Sequence, residues 1–219
     1  MNFPDLVSAS KRLVFRRATE ENLSANGHLN MKLEQTEALE QRLCKACGFC
    51  CDGTLFLHVR ISESEPIRAY KKAGLQLMDS PEGKVTMRQP CSGFSKGSCQ
   101  TYHCRPLRCG EFKCALLKQA SEGAVTESNA LEVIRETKKT RSRYTALLHQ
   151  IFPEFEQRPV VSTYRQIRKA SKHLSGEALK LFRARKSQLK EYRASLQEAL
   201  DLHFYDSQGK EDDDRSKST

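Results

Sequence analysis

The stretch CKACGFCC, Cys44 to Cys51, places four thiols within eight residues. Side chains crowded this way are oxidised in pairs, gathered around an ion, or held apart by the backbone. Few other segments limit a fold so strongly. Five more cysteines follow, at Cys91, Cys99, Cys104, Cys109 and Cys114, so that all nine in the 219-residue chain fall between Cys44 and Cys114. An odd count leaves a disulfide framework incomplete. The N-terminal run MNFPDLVSASKRLVFRRATEEN sets its basic residues after the apolar ones and has no sustained apolar core, so it does not read as a secretory signal. No apolar run approaches the ~20 residues needed to cross a bilayer. The expected compartment is the cytoplasm, where clustered cysteines more often hold metal or do redox chemistry than form structural disulfides.

Thiols spaced as in Cys44-x-x-Cys47-x-x-Cys50 can bend round one ion, with turn N–H groups donating to the sulfurs and spreading their charge. Zinc takes four ligands in a tetrahedron and a [4Fe–4S] cluster takes four cysteines, so the downstream thiols must complete the site. The nine suffice for two four-coordinate sites with one left over. Adjacent Cys50 and Cys51 point in different directions from an extended backbone, which favours two ions or a multi-iron cluster. All-thiolate ligation suits zinc and iron–sulfur equally, and the sequence leaves that choice open. His58 and His103 could supply nitrogen, but the cysteines already suffice.

The second cysteine segment, GSCQTYHCRPLRCGEFKC, adds an environment. Arg105-Pro106 stiffens the chain before Cys109, and Arg105, Arg108 and Lys113 bring positive charge beside thiolates. Four thiolates on a divalent ion carry a net charge of about −2, so nearby cations favour deprotonated sulfur. Tyr102 and Phe112 are expected to form apolar walls against water.

In these residues the chain resembles the CxxCxxCC zinc- or iron-chelating proteins, the YkgJ-type cysteine-cluster family. The match is CKACGFCC, an isolated Cys91, and then Gly97, Cys99, Tyr102, Arg105, Pro106, Leu107, Cys109, Phe112 and Cys114 in the order G-x-C-x-x-Y-x-x-R-P-L-x-C-x-x-F-x-C. It covers about residues 41 to 116. The resemblance implies a metal ligand set of Cys44, Cys47, Cys50, Cys51, Cys91, Cys99, Cys109 and Cys114, with Tyr102, Arg105, Pro106 and Phe112 surrounding it. Cys104 lies outside the pattern as an extra thiol. Where the family carries Arg after the RPLxC cysteine and Pro before the last one, this chain has Gly110 and Lys113. A flagellin lysine methylase that uses S-adenosylmethionine is similar in the same cysteine region.

The expected fold class is α+β, a small cysteine-rich metal-binding domain with a mostly helical C-terminal extension. Residues 1–40 read as an N-terminal segment with an amphipathic helix over MKLEQTEALEQRL, Met31 to Leu43. Residues 41–118 read as the cysteine-cluster domain. Within it, Gly53–Ile61 alternates like a strand, Ser62 or Ser64 can cap a helix that closes at Gly74, SPEG is a turn, Lys84–Gln89 is a second strand and SGFSKGS is a loop. Residues 119–205 read as a basic helical extension. One helix is expected from about Ser128 to Phe152, a second capped by Ser162, and a third capped by Ser175 with Leu179, Phe182, Leu189, Tyr192, Leu196 and Leu200 in a stripe. Residues 206–219 are polar and expected to be disordered.

The extension carries the charge. Arg135 to Arg193 holds 16 Lys and Arg against 5 Asp and Glu, a net +11, while the whole chain is +10. Such a field can draw an acidic protein surface, nucleic acid or anionic lipid, and no nucleic-acid recognition motif accompanies it. Eight thiols can saturate their metals, whereas a catalytic zinc keeps an open position. No paired carboxylates or Ser-His-Asp arrangement offsets that. The expectation is therefore a zinc- or iron-binding protein whose basic helices meet a protein partner or acidic surface. An iron–sulfur-dependent enzyme, methylase-like or redox, and a nucleic-acid-binding protein are the alternatives.

Overall fold

The computed structural model describes residues 34–79 and 83–206. Met31 to Leu33 of the first expected helix, most of the SPEG turn and the tail beyond Asp206 lie outside the described residues. The chain divides into two units, Met1–Arg42 and Leu43–Thr219. In the first, residues 34–42 are helical; this is the start of α1 (34–47), which ends in the second.

The second unit mixes helix and sheet. Its sheet holds β1 (His58–Arg60), β2 (Leu77–Asp79) and β3 (Val85–Arg88), in the antiparallel order β1-β3-β2. Val59 and Leu77 both pair with Met87, whose side chain is 2% exposed. Ile61, Tyr70, Leu75, Met87 and Cys91 form the core beneath this sheet, and burying each large apolar side chain contributes about 1.5–3 kcal/mol. The helix α2 (Ile67–Lys72) supplies Tyr70 and stops where Gly74 takes a φ of +85°.

The strand expected over Gly53–Ile61 forms only over His58–Arg60. Gly53 has a φ of +77°, and the Thr54 N–H donates to Asp52 Oδ1 at 2.9 Å. The Leu55 N–H turns back to the Phe49 carbonyl at 3.1 Å. Local side-chain and turn bonds thus outcompete the sheet ladder. The expected loop SGFSKGS is instead a hairpin of β4 (Phe94–Ser95) and β5 (Ser98–Cys99). Its two connecting residues, Lys96 and Gly97, have φ of 50° and 76°, the left-handed pair that matches strand twist.

The helical part comprises α3 (Leu107–Glu111), α4 (Ala115–Ser121), α5 (Glu127–Ile151), α6 (Val160–Ala170) and α7 (Gly176–His203). Spacings of three and four bury Ile134, Thr137, Tyr144, Leu148 and Ile151 on one face of α5, which packs along Leu189, Leu196 and Leu200 of α7. Thr126 caps α5 by accepting from the Asn129 N–H at 3.2 Å, a cap the sequence reading missed. Ser162 does not cap α6. That helix begins earlier, behind Pro159, and the Ser162 hydroxyl donates to the Pro159 carbonyl at 2.7 Å. Ser175 stands at the expected N-cap position of α7 without a side-chain cap bond. No helix among the described residues is long and apolar enough to cross a membrane.

Candidate metal centre

Cys44 and Cys47 lie at the end of α1. The chain then reverses at Gly48, whose N–H donates to the Cys44 carbonyl at 3.1 Å and whose φ is +76°. A Cβ there would stand 2.7 Å from the Phe94 ring, so glycine answers both the conformation and the close approach. The Cys51 N–H closes the turn on the Gly48 carbonyl at 2.9 Å. Cys91 follows the cis Gln89-Pro90 bond. Its N–H donates to the Cys51 carbonyl at 2.7 Å, joining the isolated Cys91 to the first cysteine segment through the backbone. Cys99 sits on β5 opposite Phe94, Cys109 on α3, and Cys114 at the N-cap of α4.

Eight cysteines, Cys44, Cys47, Cys50, Cys51, Cys91, Cys99, Cys109 and Cys114, line one cavity of about 110 Å³. Tyr102, Arg105, Pro106 and Phe112 line it with them. Cys104, in the helical turn Tyr102–Cys104, does not reach it, nor do His58 and His103. The Arg105 guanidinium lies 4.1 Å from the Tyr102 ring centre, and Phe112 meets Phe56 edge-on at 4.8 Å. Phe112 is still 38% exposed, so it forms only part of a wall.

None of the nine cysteines forms a disulfide. Burial foremost, then the charges of Cys47, Cys114, Cys44 and Cys109, push the Cys50 thiol well above its ordinary value. Burial likewise raises Cys47, Cys91 and Cys114, and pushes Cys109 up to about 12. The Cys51 thiol is raised by its hydrogen bond to Cys99 and by burial; the same bond lowers Cys99, with Arg105 adding to the effect. Several sulfurs already receive backbone donors: Cys47 from Phe49, Cys114 from Leu117 and Leu116, and Cys91 from Gly93 at 3.3 Å. Such N–H to sulfur bonds stabilise thiolate, and so does any cation the thiolates share.

The donor set fits zinc or an iron–sulfur cluster in kind, being all sulfur, without disulfides and shielded by apolar side chains. Gln89, 2% exposed on the same cavity, also leaves its Oε1 buried without a partner among the described residues. The thiols are not drawn together as a closed ligand set. No three His, Cys, Asp or Glu side chains among the described residues are placed to hold an ion, so ligation requires the thiols to move closer together.

Three contacts of the centre were absent from the sequence reading. Phe204, from the far end of the chain, packs edge-on against Phe49 at 5.1 Å. The Arg141 guanidinium on α5 donates to Thr54 Oγ1 at 2.7 Å and stands 3.1 Å from Asp52 Oδ2. Lys138 donates to the Ala46 carbonyl. These partners are 87 to 155 positions apart in the sequence, and no local pattern marks them. No protein-family model matches the chain, and no curated protein or solved structure is significantly similar to it.

Proposed function

We propose that the protein is a zinc- or iron-binding cysteine-cluster protein of the YkgJ type. Cysteine thiolates from its two cysteine segments hold the metal, which is zinc or an iron–sulfur cluster. The observation that carries this reading is the gathering of eight unoxidised thiols on one apolar cavity, with Cys104 left outside. Burial alone keeps these thiols protonated, and a shared cation would replace their protons and stabilise the thiolates. With four thiolates each, the metals would be coordinatively saturated and would tie segments together rather than activate water.

The basic helices supply the partner surface. Arg165, Arg168 and Lys169 on α6 and Arg183, Arg185 and Lys186 on α7 are exposed, and they suit an acidic protein face. Metal analysis after anaerobic purification tests the reading. Stoichiometric zinc or iron is expected, and a broad absorbance near ~400 nm marks iron–sulfur. A folded chain that takes up neither metal overturns it.

A further inference from the structure

The eight thiols on the cavity are not evenly mixed. Cys51, Cys91 and Cys109 all pack against the core under the sheet, the group that includes Ile61, Leu75 and Met87. Backbone bonds tie this set together. The Cys91 N–H reaches the Cys51 carbonyl at 2.7 Å, and the Phe94 N–H reaches the Cys91 carbonyl at 2.9 Å. Phe94 in turn pairs across the hairpin with Cys99, whose sulfur is hydrogen-bonded to that of Cys51.

The other four belong elsewhere. Cys44 and Cys47 are one helical turn apart, and Cys50 follows just beyond Phe49. Phe49 is covered by Phe204, whose carbonyl accepts from the Ala115 N–H at 3.3 Å. That pairing brings Cys114, the residue before Ala115, to the Cys47–Cys50 side. Most of the electrostatic neighbours follow the same division, Cys47 with Cys44 and Cys114, and Cys109 with Cys91 and Cys99, while Cys50, at the boundary, also faces Cys51 and Cys109.

From this placement, and resting on the metal reading above, we propose two separate four-thiolate sites. One is Cys44, Cys47, Cys50 and Cys114; the other is Cys51, Cys91, Cys99 and Cys109. The division falls within a single peptide bond, so that Cys50 serves one ion and Cys51 the next. Each site joins the first cysteine segment to downstream thiols, three ligands with Cys114 in the first and Cys51 with the isolated Cys91, Cys99 and Cys109 in the second. In the second site Arg105 stands near Cys99 and Cys109 and favours their thiolates.

The test loads the full-length chain anaerobically with cadmium-113 alone and reads it by NMR. Two equal resonances of the four-sulfur type are expected, at two ions per chain. Proton–cadmium correlations should connect each resonance to the β-protons of one set of four cysteines, which requires no variant. In a second measurement, the pair Cys91→Ser with Cys109→Ser should remove one resonance and leave the other unmoved. The pair Cys47→Ser with Cys91→Ser should disturb both. Correlations that mix the two sets, or a single resonance, overturn the division while leaving the metal reading standing. A folded chain that binds no cadmium overturns both.

Discussion

The backbone N–H of Cys91 donates to the carbonyl of Cys51, forty positions away in the sequence, at 2.7 Å. Gly48 secures the same junction from the other side, since the Phe94 ring occupies the space its side chain would need. Replacing Gly48 with Ala imposes a left-handed strain and a clash together. A loss of about 1–3 kcal/mol is expected, with a matching fall in bound metal. Denaturant unfolding of the full chain and metal analysis check it; unchanged stability would deny the close approach.

Glu65 holds the second cysteine segment in position. Its carboxylate is 6% exposed and accepts from the Leu107 N–H at 2.8 Å, the Ser62 N–H at 2.7 Å and the Tyr70 hydroxyl at 2.9 Å. Burial opposes its ionisation, but the three hydrogen bonds outweigh burial and hold its pKa below the usual 4.5. The stabilisation is therefore complete above the unfolded value and is lost as pH falls through the lower folded value. Glu65→Gln turns an amide N–H₂ toward donors, and a cost of about 1–3 kcal/mol near pH 7 is expected. The gap between variant and parent should shrink on acidification below about pH 4.3. A pH-independent gap in unfolding free energy would contradict this role.

Arg141 joins α5 to the cysteine turn through Asp52 and Thr54, and Thr54 is 1% exposed. Arg141→Met keeps the stem but leaves those groups without their donor, at an expected cost of about 1–3 kcal/mol. Arg143, exposed on the same helix, is the control, and its Met variant should stay within about 0.5 kcal/mol of the parent. Equal effects of the two variants would reduce the Arg141 contact to surface electrostatics.

Phe204 is 1% exposed over Phe49, which is fully buried. Phe204→Ala is expected to cost about 3–5 kcal/mol and to speed alkylation of Cys47 and Cys50 over Cys91. The milder Phe204→Leu should show the same order of thiol reactivity in a folded chain. Mass-mapped alkylation rates that rise uniformly at all three would refute this covering role.

The long helix was legible in the sequence because one physical rule governs it. Apolar residues at three- and four-residue intervals predict Ser128–Phe152, and α5 runs from Glu127 to Ile151. The alternation of Leu55, Leu57 and Val59 misled, because the Asx turn at Asp52 and the left-handed Gly53 claim the backbone before a ladder can form. The hairpin at Lys96 escaped because a lysine with positive φ has no sequence signature. At the centre, thiol density and spacing mark all nine cysteines, and the family resemblance singles out the eight that line the cavity. Their division into sets, the orphaned Gln89 oxygen and the contacts of Phe204 and Arg141 arise only when distant segments meet.

X-ray absorption at the metal edge of the anaerobically purified full chain tests the central claim most directly. The account predicts zinc or iron surrounded by sulfur alone, at about 2.3 Å, with no nitrogen or oxygen neighbours. A metal held by nitrogen or oxygen, or a folded chain with no metal edge, would contradict it.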